Sequence, residues 1–174
     1  RTRHPMKWLK RILLGFVGLL FAGWLALVAW AYWPTGAHEV PAASLAGPAD
    51  RFVTVDGLDI RYRTWGEPGP DKPTALLIHG FASNKTVNWV DTGWVRHLVR
   101  QGRRVVAIDN RGHGESAKLH RPEDYGAKIM AEDARRLLDH LGIARADVIG
   151  YSMGARIAAF LALAHPERVK SLIF

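Results

Sequence analysis

The pattern of apolar and polar positions divides the chain into three unlike stretches. From Ile12 to Trp33 the sequence ILLGFVGLLFAGWLALVAWAYW carries no charge over 22 residues, enough for a helix to cross a hydrocarbon core about 30 Å thick. Residues 34–50 (PTGAHEVPAASLAGPAD) are rich in Pro, Ala and Gly without a period, which reads as a linker. Beyond them, short apolar runs alternate with helical patterns.

The stretch from Phe52 to Tyr62 shows two alternating strands around Asp56-Gly57, a hairpin signal. A Gly/Pro-rich connection from Gly66 to Pro73 follows. Ala75-Leu76-Leu77-Ile78 and Val105-Val106-Ala107-Ile108 are continuously apolar, as strands buried on both faces are. Between them, residues 87–101 place Val90, Trp94 and Leu98 at fourfold spacing, predicting one helix that stops at Gly102. Residues 124–141 put Met130, Ala134, Leu137, Leu138 and Leu141 on one face, with Glu132, Asp133, Arg136 and Asp139 mostly elsewhere. A strand at Asp147-Val148-Ile149, a helix to about Ala164 and a last strand over Val169–Phe174 complete the series; the last would present an apolar edge open to pairing with other chains. This alternation predicts an α/β domain, a mostly parallel sheet with helices on both faces, preceded by one transmembrane helix. No internal repeat or low-complexity tract interrupts it.

Charge sharpens the reading of the N-terminus. The net charge is +8, and Arg1, Arg3, Lys7, Lys10 and Arg11 supply five of those charges within residues 1–11, leaving +3 for everything after. No Lys or Arg follows until Arg51. The positive-inside rule then puts the N-terminus in the cytoplasm and the domain on the extracytoplasmic side, which is the periplasm or cell surface if the source is bacterial. Trp30, Tyr32 and Trp33 cluster where an interfacial aromatic belt would lie. Ala29-Trp30-Ala31 resembles a signal-peptide cleavage site, but the apolar core of such peptides is about 7–15 residues, so an uncleaved signal anchor is expected. The basic balance is therefore a topology signal, and no nucleic-acid partner is expected. The expected organisation is a basic segment at 1–11, an anchor at 12–33, a linker at 34–50 and a domain at 51–174. The chain has no cysteine, which excludes disulfides, thiolate metal sites and a cysteine nucleophile.

Three loops carry candidate chemistry, each at the C-terminal end of an expected strand, where open α/β sheets build their sites. Gly150-Tyr151-Ser152-Met153-Gly154 fits G-x-S-x-G, a strand-to-helix turn that exposes a serine oxygen above the sheet. A serine hydroxyl needs a partner base at neutral pH. The N–H of Met153 begins a helix and gains from its positive end. In His79-Gly80-Phe81-Ala82-Ser83-Asn84, a backbone N–H can face a carbonyl oxygen that becomes negative during attack. The third loop is Asp109-Asn110-Arg111-Gly112-His113-Gly114-Glu115-Ser116.

Together, in this order, the three motifs resemble the α/β-hydrolase superfamily, in the branch with an H-G-F oxyanion loop, a D-x-R-G-x-G-x-S loop and a G-x-S-x-G elbow. The resemblance runs from about Phe52 to Phe174. It implies that Ser152 is the nucleophile and that Phe81 and Met153 supply the oxyanion N–H groups. It also implies that His79, Gly80, Asp109, Gly150 and Gly154 shape these loops rather than act on substrate, and that the Asp109–His113 pair braces the site. His165, before Pro166, reads as a helix C-terminal cap; His97 and His140 fall on surface helices; Tyr151, next to the serine, is a candidate to touch the pocket, although an aromatic at this position is common packing. No carboxylate–histidine cluster has metal-ligand spacing, so no metal and no cofactor are expected.

In this superfamily the triad follows the order Ser, Asp or Glu, His. The resemblance therefore implies that the triad acid and histidine are not in this chain, which looks truncated after a sixth strand and is expected to be inactive alone. The expected function is that of a serine hydrolase cleaving carboxylic esters or lactones through an acyl-enzyme on Ser152. Acyl transfer to another acceptor, peptidase action on short peptides and a non-catalytic anchored pseudo-hydrolase remain open. The serine argues against the epoxide hydrolases and haloalkane dehalogenases, relatives whose elbow carries aspartate.

Overall fold

The computed structural model describes residues 5–31, 51–55, 57–69 and 72–174. Arg1, Arg3, the pair Tyr32 and Trp33, the linker at 34–50 and Asp56 of the hairpin turn lie outside the described residues. The chain divides into two units, residues 1–39 and 40–174.

In the first unit, helix α1 spans Pro5–Ala31. Within it Arg11–Trp30, 20 residues of mean hydropathy 2.5, is long and apolar enough to cross a membrane by length and composition. Leu14, Leu19 and Trp30 are all exposed.

The second unit is built on a six-stranded sheet. Strands β1 (Arg51–Val55) and β2 (Leu58–Trp65) pair antiparallel, with Val55 opposite Leu58. Gly57 turns the hairpin at φ +81°, a conformation that costs glycine little. Strands β3 (Thr74–Ile78), β4 (Arg104–Ile108), β5 (Ala146–Gly150) and β6 (Val169–Ile173) complete the order β1-β2-β4-β3-β5-β6. β3 runs parallel to both β4 and β5, β5 parallel to β6, and β2 antiparallel to β4. Helices α2 (Trp94–Arg100), α3 (Ala127–His140) and α4 (Met153–Ala164) connect the parallel strands.

Strand period decides the two faces. Leu76, Ile78, Val106, Ile108 and Val148 point to one side and pack with Met130, Leu137 and Leu138 of α3 and Ile157 and Leu161 of α4. Ala75, Leu77, Val105, Ala107 and Ile149 point to the other and pack with Trp89 and with Val95 and Leu98 of α2. Each fully buried aliphatic side chain contributes about 1.5–3 kcal/mol, so both layers hold the sheet. The chain steps from β3 to β4 on one side, then returns past β3 to place β5 on the other. That reversal opens the sheet's crevice at the C-terminal end of β3.

The helix expected over 87–101 is two elements. Thr86–Val90 is a π-helical turn, and α2 begins only at Trp94. Asn84 Oδ1 accepts the N–H groups of Thr86 and Val87, both at 2.9 Å. Gly93, at φ +85°, ends the first element. The break rotates the buried face: Val95 is buried, while Trp94 is 44% exposed. Helix α2 does stop at Gly102, where the N–H of Gly102 bonds Val99 O and that of Arg103 bonds Leu98 O, a Schellman closure. In α3, Met130, Ala134, Leu137 and Leu138 are buried. Asp133, expected away from that face, is buried as well, because Arg111 grips both its oxygens at 2.6 Å. His165 occupies the C-cap position of α4, but its ring bonds Glu132 of α3 rather than the last helical carbonyls. His97 and His140 are exposed on their helices.

Candidate active site

Ser152 sits between β5 and α4 with φ +53° and ψ −114°. Such a backbone costs a non-glycine residue about 1–3 kcal/mol and persists only where neighbours over-determine it. Here they do. The N–H of Tyr151 bonds Ile78 O at 3.0 Å, tying the turn to β3, and the N–H of Gly154 bonds Tyr151 O at 2.8 Å. A Cβ at Gly154 would collide with the carbonyls of Ile78 and His79, and one at Gly150 with the backbone of Gly154 and Ala155. The two glycines are thus the places where strand, turn and helix touch.

The loop after β3 lies directly against this turn. A Cβ at Gly80 would meet Tyr151 Cδ1 at 3.0 Å and Ser152 Cβ at 3.3 Å. The N–H of Gly80 is taken by Asn88 Oδ1 at 2.9 Å. Those of Phe81 and Met153 have no hydrogen-bond partner among the described residues. Phe81 is 75% exposed, with its ring edge-on to His113 at 5.7 Å between centroids.

His79 is fully buried and both its nitrogens are engaged. The N–H of Asn110 donates to Nε2 at 3.0 Å, so the proton is on Nδ1, which donates to Gly80 O at 2.7 Å. Asn110 Nδ2 also donates to His79 O at 3.2 Å. Burial holds the imidazole below its ordinary pKa, against the opposing pull of the Gly80 carbonyl and Asp109. A ring so placed has no free nitrogen to take a proton from Ser152.

Asp109, at the end of β4, is 1% exposed. Its carboxylate accepts from the N–H of Lys85 and from Lys85 Nζ, each at 2.8 Å, and from the N–H of Glu115 at 2.9 Å. Lys85 Nζ reaches Glu115 as well, at 2.9 Å. Gly114, at φ +50°, lies against the same carboxylate with no room for a side chain. Ser116 Oγ donates to Asp109 O at 2.7 Å and accepts the N–H of Arg61 at 2.8 Å, joining the loop to β2. The two loops are therefore one hydrogen-bonded body. His113, in the same loop, donates from Nδ1 to Arg111 O at 3.0 Å and packs beside His79.

Beside Met153 the surface sinks into an open cavity of about 620 Å³ lined by Phe81, His113, Tyr125, Met130, Met153 and Arg156, among others. Ser152 itself is exposed, and its hydroxyl bonds no histidine or carboxylate among the described residues. No group of three or more His, Cys, Asp or Glu among the described residues is placed to hold a metal ion.

The sequence pattern brought Ser152, Met153, Phe81, His79 and Asp109 to adjacent loops. It did not single out Lys85 or Asn88. Both stand in the segment between β3 and α2, and their partners lie 24 and 8 residues away. The Asn84-x-x-x-Asn88 spacing was the available signal for the turn that positions Asn88.

Residues 73–174 match the sequence profile of the alpha/beta hydrolase fold family. Human epoxide hydrolase 4 is 35% identical over 143 residues, 79% of this chain and 38% of that protein. The dihydrolipoyllysine-residue acetyltransferase component of the acetoin cleaving system of Pseudomonas putida is 39% identical over 135 residues, 77% of this chain and 34% of that protein. Among solved structures, the N-acyl homoserine lactone degrading enzyme Est816 superposes with a TM-score of 0.59 at 34% identity, over 68% of this chain and 42% of that one. The chain thus spans less than half the length of each of these relatives. The profile match joins the switch-point sheet and the strained serine turn in one conclusion: this chain belongs to the alpha/beta hydrolase fold family.

Proposed function

We propose that the protein is a membrane-anchored serine hydrolase acting on carboxylic esters or lactones, with Ser152 as nucleophile. One observation carries this reading: the unbonded N–H groups of Phe81 and Met153 flank a serine held at φ +53°. In the proposed sequence Ser152 Oγ attacks the acyl carbonyl and transfers its proton to a base. The carbonyl oxygen, now negative, is held by the two N–H groups. The alcohol departs with a proton, and water then attacks the acyl-enzyme to release the acid. Each oxyanion donor of this kind is typically worth about 10²–10³ in rate.

The side chain at 152 favours esters over epoxides. A serine that opened an epoxide would form an ether, which water does not cleave under mild conditions, whereas an acyl-serine is an ester that water releases. Acyl transfer to an acceptor other than water is the second reading, favoured by the 39% identity to an acetyltransferase component. Ser152 has no histidine partner among the described residues, and a serine nucleophile without its base keeps only a small residual activity.

A fluorophosphonate probe on full-length protein tests the reading: wild type is labelled and Ser152→Ala is not. Equal labelling of the two would remove Ser152 as nucleophile. The anchor is tested by fusing a reporter, active only outside the cytoplasm, after Gly47; activity supports the proposed orientation and inactivity reverses it.

A further inference from the structure

The cavity beside Ser152 is mainly apolar, walled by Phe81, Ala127, Met130 and Met153. Among its lining residues Arg156 is the only one that carries a formal charge at neutral pH. The other cations nearby are engaged. Arg111 is held by Asp133, Lys118 donates to the carbonyls of His113, Gly114 and Ser116, and Lys128 lies over the Phe160 ring at 5.6 Å. The Arg156 side chain is exposed and has no ion-pair or hydrogen-bond partner among the described residues.

Its position is also unfavourable for the helix. Arg156 lies in the first turns of α4, which begin without an acidic residue, and the positive end of a helix dipole repels a cation there. The guanidinium at the cavity wall is thus held by no protein group among the described residues.

We infer that the cavity takes the acyl portion of a substrate ending in a carboxylate, which Arg156 binds; this rests on Ser152 being the nucleophile. A guanidinium presents two parallel N–H groups that match the two oxygens of a carboxylate. The apolar wall suits the methylenes between the two ends of such an acyl chain. Ser152 and Arg156 are one helical turn apart, with the N–H of Arg156 3.4 Å from Ser152 O. The ligand so inferred is a short dicarboxylic half-ester, its ester end at Ser152 and its free acid at Arg156, with Met153 and Arg156 lining the same cavity.

The test uses two esters of equal length, monomethyl adipate and methyl hexanoate, which differ only in the terminal carboxylate. Their affinities are measured by calorimetric titration against full-length protein carrying Ser152→Ala, so that neither is cleaved. The carboxylate ester is expected to bind about tenfold tighter, the scale of one charge-assisted contact. Adding Arg156→Gln should bring the two affinities together, Arg156→Lys should retain part of the preference, and raised salt should narrow it. Equal affinities in the Ser152→Ala protein, or a preference that survives Arg156→Gln, overturns the inference. The nucleophile reading fails separately, through absence of fluorophosphonate labelling of Ser152, while the two affinities still decide whether Arg156 binds the carboxylate.

Discussion

Gly80 donates its backbone N–H to Asn88 Oδ1 at 2.9 Å. The next N–H along the chain, that of Phe81, has no hydrogen-bond partner among the described residues. Asn88 itself is held by its turn through the backbone, its N–H donating to Asn84 O at 3.2 Å, while Thr92 Oγ1 adds an exposed bond to Asn88 O at 2.6 Å. A residue eight positions downstream thus orients the peptide beside Ser152.

Asn88→Ala is expected to slow fluorophosphonate labelling of full-length protein by about tenfold or more, because a small misplacement of a catalytic group is costly. Thr92→Ala, on the same turn, serves as the comparison: a lower Tm with an unchanged labelling rate. Equal slowing by both variants would show that the effect is general loosening of the turn.

Gly154→Ala should prevent the elbow from closing. The added methyl meets the carbonyls of Ile78 and His79, both backbone atoms of the central strand and its loop, so the collision has no flexible side chain to absorb it. We expect a loss of several kcal/mol, read as a lower urea midpoint. Gly142→Ala has nothing within 4 Å but requires φ +63°, and its cost should be about 1 kcal/mol.

The Lys85–Asp109 pair is buried on both sides, with side-chain exposures of 3% and 1%. Lys85→Met would leave the Asp109 charge without its cation, and a stability loss of about 3–5 kcal/mol is expected by chemical denaturation. Asp109→Asn should cost less than Asp109→Leu, since an amide oxygen still accepts one of the backbone N–H groups of Lys85 and Glu115.

Acid should loosen the same region through His79. Burial lowers its pKa in the fold from 6.5, so the unfolded chain takes up the proton first as the pH falls. Stability from this group is therefore complete above about 6.5 and declines as the pH falls from there through the folded-state pKa. Urea midpoints measured across this range should fall in wild type and fall less steeply in His79→Gln. Identical slopes would place the acid sensitivity elsewhere.

Much of this architecture was legible because it follows from local rules. The continuous apolar runs at 75–78 and 105–108 are strands, and Gly102 ends a helix through backbone geometry that only its own neighbours determine. The three loops were found because their spacing is itself the motif. What escaped depends on partners distant in the chain. Asp133 looks like a surface carboxylate until Arg111, 22 residues earlier, is folded against it. Lys85 looks like a solvated lysine until Asp109 arrives. The break at Gly93 was hidden for a different reason: the spacing of Val90, Trp94 and Leu98 fits a continuous helix, and only the αL turn at Gly93 shows that the phase resets.

The contrast between Ser152 and its flanking glycines has a consequence for how this site can change. The serine side chain is exposed and its hydroxyl engages none of the described residues, while a Cβ on Gly150 or Gly154 would run into backbone. One side chain can be exchanged for another at 152 without disturbing the turn, but neither neighbour can grow. Space for change at this elbow therefore lies at position 152 and in the surrounding walls, and not at its two glycines.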